Sequence, residues 1–431
     1  MSARKCDWED EDRASADVVC VNPDSMSNDL QVKTPGTAAP EVAPATHKPG
    51  KRSGSILAET CVLVPDSIER SENEHVKYPM PGAPGFVHCT ADRTSLVSQC
   101  SAEGVGHVLE AMQHGAAGPP SSVVWISLRN EVVTYIAGKP YALRDAKAPL
   151  EPKEQADNLG EVLQQAECEL KANAEEEVAK ECGRLALQGP GGLKAAWASV
   201  ALDAIRTSAE VVAEAGRHAA GVTGIIQTRF ECLPLPSKRV LKRQDVTSLL
   251  EVLKSVSATD AVVLSSEKGA PVTTMAAVAA SMAQRVRASG GKRPIDLVTR
   301  EPLPMTRKWN APRRLLEEED FAPVGLLVNH LDDVYPIAVT GAGNERLGEL
   351  AKLLCDDTVD RWETPIHLRH RVIELKAAGD TAALNEALAQ YLIMVAFAAL
   401  LMEASGDKSQ IEHETAVLDA LDTVLTKLAT D

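Results

Sequence analysis

Ser266 closes an apolar, β-branched run, Ala261-Val262-Val263-Leu264-Ser265, and the chain continues as Glu267-Lys268-Gly269-Ala270-Pro271-Val272-Thr273. The run predicts a buried strand. Gly269 and Pro271 punctuate a tight loop, and Thr273-Thr274 open a helix over Met275 to Val286. A strand that feeds a loop into a helix N-terminus makes an anion cradle, because unpaired backbone N–H groups point into the loop and the helix dipole favours negative charge. Phosphoryl transfer in such a cradle needs a nucleophile where the strand ends and a cation where the helix begins. A thiolate suits the first role and a guanidinium the second. Here those positions hold Ser266 and Val272.

These departures have chemical weight. Loop amides, helix dipole and Arg together turn a thiol into a thiolate near neutral pH; a serine hydroxyl starts many units higher and needs a base. The ten His are scattered, and none stands at a recognisable spacing from a Cys or Ser. Without Arg the two-pronged clamp on phosphoryl oxygens is gone. Glu267 adds a negative charge that Lys268 partly offsets, and Pro271 removes one donating N–H. Little or no hydrolysis is expected of this loop, and weak anion binding. No catalytic residue is assigned; the phosphate-loop frame comprises Ser266, Glu267, Lys268, Gly269, Ala270, Pro271, Val272 and Thr273.

The elements around the loop must come from a chain of 431 residues, long enough for a sizeable core. With 3% aromatics, that core has to be built from Ala, Leu and Val. A net charge of −16 argues against nonspecific nucleic-acid binding and against anionic membrane surfaces. Nine Cys without a CxxC pair, and no His at zinc-finger spacing, point to reduced thiols in a cytoplasmic protein with no metal and no cofactor. No signal peptide is visible in Met1 to Asp12. The longest apolar run, Tyr391 to Met402, falls short of the ~20 residues of a membrane-spanning helix and reads as a core helix.

Residues 1–50, rich in Ser, Pro, Asp, Ala and Thr, read as a disordered tail ending in the basic cluster Lys48 to Arg52. Short extended pieces follow, including Cys61 to Val64. Ser101 is the expected cap of a helix carrying Val105, Val108, Leu109 and Met112. Val123 to Leu128 predicts a buried strand, and Val132 to Arg144 a hairpin turning at Gly138-Lys139. Glu151 to Cys182 predicts a long acidic helix with the stripe Leu159, Val162, Leu163, Ala166 and Leu170. Then come a strand at Leu185 to Leu187, a helix at Ser208 to Ala219, a strand at Ile225 to Pro234, and an amphipathic helix over 244–256 with Val246, Leu249, Leu250 and Leu253 inward. Residues 288–318 are a Gly-, Pro- and Arg-rich excursion. Gly341 to Gly348 has a glycine-loop look but the wrong spacing for a dinucleotide fingerprint, and reads as a turn. The remainder is helical: 345–356, 364–378, 381–404 and 410–429.

Several blocks resemble the paladin family of phosphatase-like proteins, relatives of the protein-tyrosine-phosphatase-like inositol phosphatases (phytases). Arg52-Ser53-Gly54-Ser55-Ile56-Leu57, with Thr60, Val62, Leu63 and Asp66, is similar to the start of that family's repeat. Pro81-Gly82-Ala83-Pro84-Gly85-Phe86 resembles its GAPNFR segment. The most specific match is Trp125-Ile126-Ser127-Leu128-Arg129-Asn130-Glu131 followed by Tyr135 to Arg144, which resembles its WINLREE and YINGRPFVLR run. The similarity covers roughly residues 51–405 in the expected order, as one repeat where members often carry several.

The resemblance implies an α/β fold, a twisted, partly parallel sheet flanked by helices in the manner of protein tyrosine phosphatases, with a helical C-terminal part. It places the domain at 51–405 with a C-terminal helix over 406–431. It also puts a general acid near Pro236 or Ser237, where no Asp stands; Asp245 downstream reads as a helix cap. Arg129 and Arg144 resemble arginines at strand ends in the family, and either line a pocket or make surface ion pairs. Lys238 and Arg239, with Lys242 and Arg243, either face phosphate or form a solvated linker. The expected function is that of a catalytically degenerate phosphatase-like module with an unidentified protein partner or phosphorylated ligand. The alternative is an active phosphatase on phosphotyrosine or inositol phosphates.

Overall fold

The computed structural model describes residues 42–43, 52, 54–66, 80–114, 119–154, 159–189, 195–223, 227–236, 239–266, 271–290, 322–334, 346–366, 368–402 and 409–430. The strands are β1 (Val42–Ala43), β2 (Cys61–Pro65), β3 (Val87–Cys89), β4 (Thr94–Ser98), β5 (Ser122–Ser127), β6 (Val133–Ile136), β7 (Lys139–Asp145), β8 (Arg184–Gln188), β9 (Ala195–Ser199), β10 (Ile205–Arg206), β11 (Gln227–Cys232) and β12 (Ala261–Ser266). The helices are α1 (Ala102–Ala111), α2 (Gly160–Lys180), α3 (Ser208–Thr223), α4 (Arg243–Lys254), α5 (Pro271–Ala288), α6 (Ala322–Val334), α7 (Leu347–Ile366), α8 (Leu368–Ala378), α9 (Thr381–Leu400) and α10 (Gln410–Thr430).

The expected α/β fold with a partly parallel sheet is found. A five-stranded sheet runs β11-β5-β12-β4-β3; its first four strands are parallel and β3 is antiparallel at the edge. Strand β12 lies in the middle and is buried at every position. A parallel sheet covered on both faces calls for such a continuous apolar run. Ala261 and Val263 face the core shared with α1 and α3, whereas Val262 and Leu264 face the core shared with α4, α5 and the C-terminal helices. Beside it stand an antiparallel sheet, β10-β6-β7-β2, and a ribbon, β1-β9-β8, which share a third core with α2.

Several elements depart from the sequence reading. Helix α2 begins at Gly160, not Glu151, and its buried stripe is Leu163, Leu170, Ala174 and Val178; Leu159 and Val162 are 49% and 46% exposed. At that first residue the helix passes close to the C-terminal end of β11, since a Cβ on Gly160 would run into the Cys232 carbonyl. The hairpin turns at Ala137-Gly138, where both φ are positive (48° and 76°), one residue earlier than expected. That is the two-residue turn whose twist suits a hairpin. Strands β4, β9 and β10 were not expected; β9, Ala-Ala-Trp-Ala-Ser, is poor in strand formers. Within the stretch read as disordered, β1 pairs with β9; the rest of residues 1–50 lies outside the described residues, as does most of 288–318 and Gly341 to Glu345.

The C-terminal part is helical. Helix α9 is buried continuously from Ala387 to Leu400 and packs on α5, α7, α8 and α10. By length and composition it is apolar enough to cross a membrane, and 78% of its apolar stretch is buried inside the protein, as a core helix requires. Asp380 caps it by accepting from Ala383 N at 3.1 Å. Helix α10 is tied to α4 by Lys254–Glu414 and Arg243–Asp419 ion pairs.

Candidate functional site

Ser266 is the last residue of β12 and is buried. Its hydroxyl shares a hydrogen bond with the hydroxyl of Thr273, on the first turn of α5. Pro271 is the first helical residue, where a missing N–H costs no helical bond and the fixed φ suits the helix; the helix therefore starts earlier than Met275. Glu267, Lys268, Gly269 and Ala270, the middle of the loop, lie outside the described residues. Val272 is only 6% exposed and belongs to the apolar core with Met275 and Ala276. A guanidinium on that side chain would have to leave this core to reach an anion.

The floor of the site is fixed by bonds between strands. Trp125 Nε1 donates to Ser265 Oγ at 2.9 Å, and Leu128 N donates to Ser265 O at 2.7 Å. The segment after β11 keeps pairing with β5: Leu233 N to Ser127 O and Leu235 N to Leu128 O, both 2.9 Å. Where a general acid was to be sought, Leu233, Pro234, Leu235 and Pro236 are buried and carry no ionisable group. Ser237 and Lys238 lie outside the described residues. Asp245 is at the start of α4 as anticipated, accepting from Lys242 N at 2.8 Å, and Arg239 Nη1 donates to it at 2.7 Å. Arg239 is thus engaged in holding a helix N-terminus.

Arg129 and Arg144 do not make surface pairs; their ion pairs are interior. Arg129 is 3% exposed, held by Asp66 and, at 2.5 Å, by Glu131 Oε2. Arg144 Nε stands 3.3 Å from Glu131 Oε1, and Lys153 N donates to the same oxygen at 2.9 Å. Glu131, 1% exposed, is the hub of this cluster, a role the sequence reading did not give it. Its mark in the sequence is a carboxylate two residues past an arginine in the short link between two buried strands. The reason for the burial is that Leu128 to Glu131 passes from the parallel sheet to β6, beneath β7 and the chain after it.

Burial also marks several ionisable groups away from the loop. Burial pushes the thiols of Cys89, Cys100, Cys232 and Cys355 well above their ordinary range, so they stay protonated near neutral pH. Burial lowers His88 to about 4, leaving it neutral. Asp92 is raised by burial although Ser281 and Thr94 donate to it. Glu167 is pushed up to about 7 by burial, against hydrogen bonds from Ser208. Among the described residues no group of three His, Cys, Asp or Glu is placed to hold a metal ion.

Residues 126–284 match the family model for PTP-like phytases, described as inositol hexakisphosphate. The match runs from β5 through α5 and takes in the 266–273 loop. No curated protein matches the chain. Among solved structures, the chain is similar to the PTP-like myo-inositol phosphatase of Mitsuokella multacida in complex with myo-inositol-(1,3,4,5)-tetrakisphosphate, at 13% identity and a TM-score of 0.35, over 67% of this chain and 39% of that one. It is similar to the tandemly repeated protein tyrosine phosphatase like phytase of the same organism at 12% identity and a TM-score of 0.37, over 74% of this chain and 46% of that one. A PTP-like phytase from Bdellovibrio bacteriovorus aligns at 14% identity and a TM-score of 0.33, over 63% of this chain and 88% of that one. The alignments therefore span less than half the length of either Mitsuokella chain.

Proposed function

We propose that this protein is a catalytically degenerate, paladin-type phosphatase-like protein, a cytoplasmic regulatory or interaction module. The observation that carries the proposal is the occupancy of the two chemical positions of the loop. A serine bonded to a threonine hydroxyl stands at the end of β12, and a core-facing valine stands at the start of α5. The family match over residues 126–284 supports the phosphatase ancestry and equally favours the second reading, a working phosphatase on phosphotyrosine or inositol phosphates.

The test is phosphate release from an inositol polyphosphate and, separately, from a phosphotyrosine peptide. Wild type, Ser266→Ala, Ser266→Cys and the Ser266→Cys, Val272→Arg double variant are compared, each first shown to be folded by thermal unfolding. Silence of wild type and Ser266→Ala is expected. Turnover by wild type that disappears in Ser266→Ala overturns the proposal and installs the second reading.

A further inference from the structure

Glu167, on α2, lies 6% exposed where three elements meet. Its carboxylate accepts from Ser208 Oγ at 3.0 Å and from Ser208 N at 3.4 Å, at the first residue of α3, and from the backbone N–H of Val133, the first residue of β6. Among the described residues no ammonium or guanidinium is bonded to it: Arg129 acts on it only through space and is held by Asp66 and Glu131. Three donors and no counter-ion suit the two forms of the carboxyl almost equally. The ionised form keeps the donors and loses water. The neutral form loses little hydration and needs one acceptor, which the Ser208 hydroxyl becomes by turning.

Of the ionisable groups around it, Tyr135 of β6 and Cys232 of β11 are raised by burial and stay neutral. One turn along α2, Lys171 pairs with Glu210 of α3 at 2.7 Å, and Arg206 of β10 pairs with Glu214 at 3.3 Å. These pairs are partly exposed, so water screens them. Glu167 is the buried carboxyl of this joint, and burial brings its ionisation up to about 7.

We infer that Glu167 is a proton-operated latch that holds the first half of α2 against α3, β6 and the end of β11 at acid pH and releases it as pH rises toward neutrality. Opening hands the carboxyl to water, where it ionises at its ordinary value of 4.5. Each opening therefore releases a proton between about pH 4.5 and about pH 7, and rising pH favours it until the closed form ionises too. The movement bears on the loop at Ser266. The start of α2 passes close to the Cys232 carbonyl, and the chain beyond Cys232 pairs with Ser127 and Leu128, the latter bonded to Ser265. The latch itself is independent of the chemistry at Ser266.

The test follows amide exchange of the full chain from about pH 5 to about pH 8 in wild type, Glu167→Gln and Ser208→Ala, each corrected for the intrinsic exchange rate. Amides of residues 161–168 and 208–212, exchanging faster than those of β12, are expected to lose about tenfold protection in wild type between about pH 5 and about pH 7 and then to level off. Glu167→Gln does not titrate and is expected to show no such loss. Ser208→Ala removes a donor to the ionised form, so the levelling off is expected about half a pH unit higher. Equal pH dependence in wild type and Glu167→Gln overturns the inference. So does a loss confined to the slowest amides of β12 and α9, which reports unfolding of the whole chain and not a latch. A levelling off that Ser208→Ala leaves in place overturns it as well.

Discussion

Trp125 and Ser265 are joined across two parallel strands by an indole N–H donating to a hydroxyl oxygen at 2.9 Å, with both side chains buried. The bond fixes β5 against the end of β12 one residue before Ser266, so the start of the loop inherits its position from the sheet. Ser265→Ala removes the acceptor and strands a buried N–H. The expected loss is about 1–3 kcal/mol. Denaturant unfolding checks this; a loss below a few tenths of a kcal/mol would show that the bond holds nothing in place.

Glu131 gathers Arg129, Arg144 and the Lys153 amide in the interior. Breaking a buried pair from one side leaves an uncompensated charge, which costs about 3–5 kcal/mol. Glu131→Ala is therefore expected to destabilise by about 3 kcal/mol or more. Asp66→Ala, whose carboxylate is 21% exposed, removes a partner that water can partly replace and is expected to cost less. Equal losses in the two variants, measured by the same unfolding experiment, would contradict the central role given to Glu131.

The contrast between these two clusters shows what a sequence exposes. Strand β12 was legible because a strand covered on both faces needs Ala-Val-Val-Leu without interruption, and the core faces of α1 and α4 were legible because helical periodicity marks them. The α/β class was what the family resemblance implied, and the order of predicted strands and helices along the chain agrees with it. The Arg129–Glu131 cluster was half legible: the residues stand out, but burial of a charged pair depends on chain from β7 and Lys153 arriving overhead. Strand β9 was not legible, since Ala-Ala-Trp-Ala-Ser becomes a strand through its partner β8 and not through its own preference. The stripe of α2 was misplaced because two faces of that helix carry Leu and Val, and only the sheet decides which is covered.

Glu167 sets a pH dependence whose sign can be derived. Burial raises its carboxyl from 4.5 to about 7, against hydrogen bonds from Ser208. Between those values the folded protein holds a proton that the unfolded chain has released. Its contribution to stability is full below pH 4.5 and is lost as pH rises to about 7. Within the window the slope is at most about −1.4 kcal/mol per pH unit. Glu167→Gln retains an oxygen for Ser208 and does not titrate. It is expected to gain stability relative to wild type as pH rises from about 5 to about 8 and to change little relative to it below that range. Parallel stability curves for the two proteins would refute the assignment.

Two glycines of α1, two residues apart, are expected to respond with opposite signs. Gly→Ala inside a helix ordinarily stabilises by about 0.5–1 kcal/mol, because alanine loses less backbone freedom on folding. Gly106 has nothing within 4 Å of where a Cβ would stand, so Gly106→Ala should follow that rule. At Gly104 the same atom would fall on the carbonyl of Gly82, well inside van der Waals contact, and a backbone neighbour has little freedom to retreat. That carbonyl also accepts from Ser101 N at 2.8 Å, and Ser101 in turn caps α1 through Gly104 N at 3.0 Å. Pushing it away therefore disturbs the helix N-terminus as well as the turn, and Gly104→Ala is expected to destabilise by about 2 kcal/mol or more. Thermal unfolding of the two single variants checks both signs at once. A stabilising Gly104→Ala would mean that the turn at Gly82 can move away from α1, and that the close approach is not what seats this helix on the sheet.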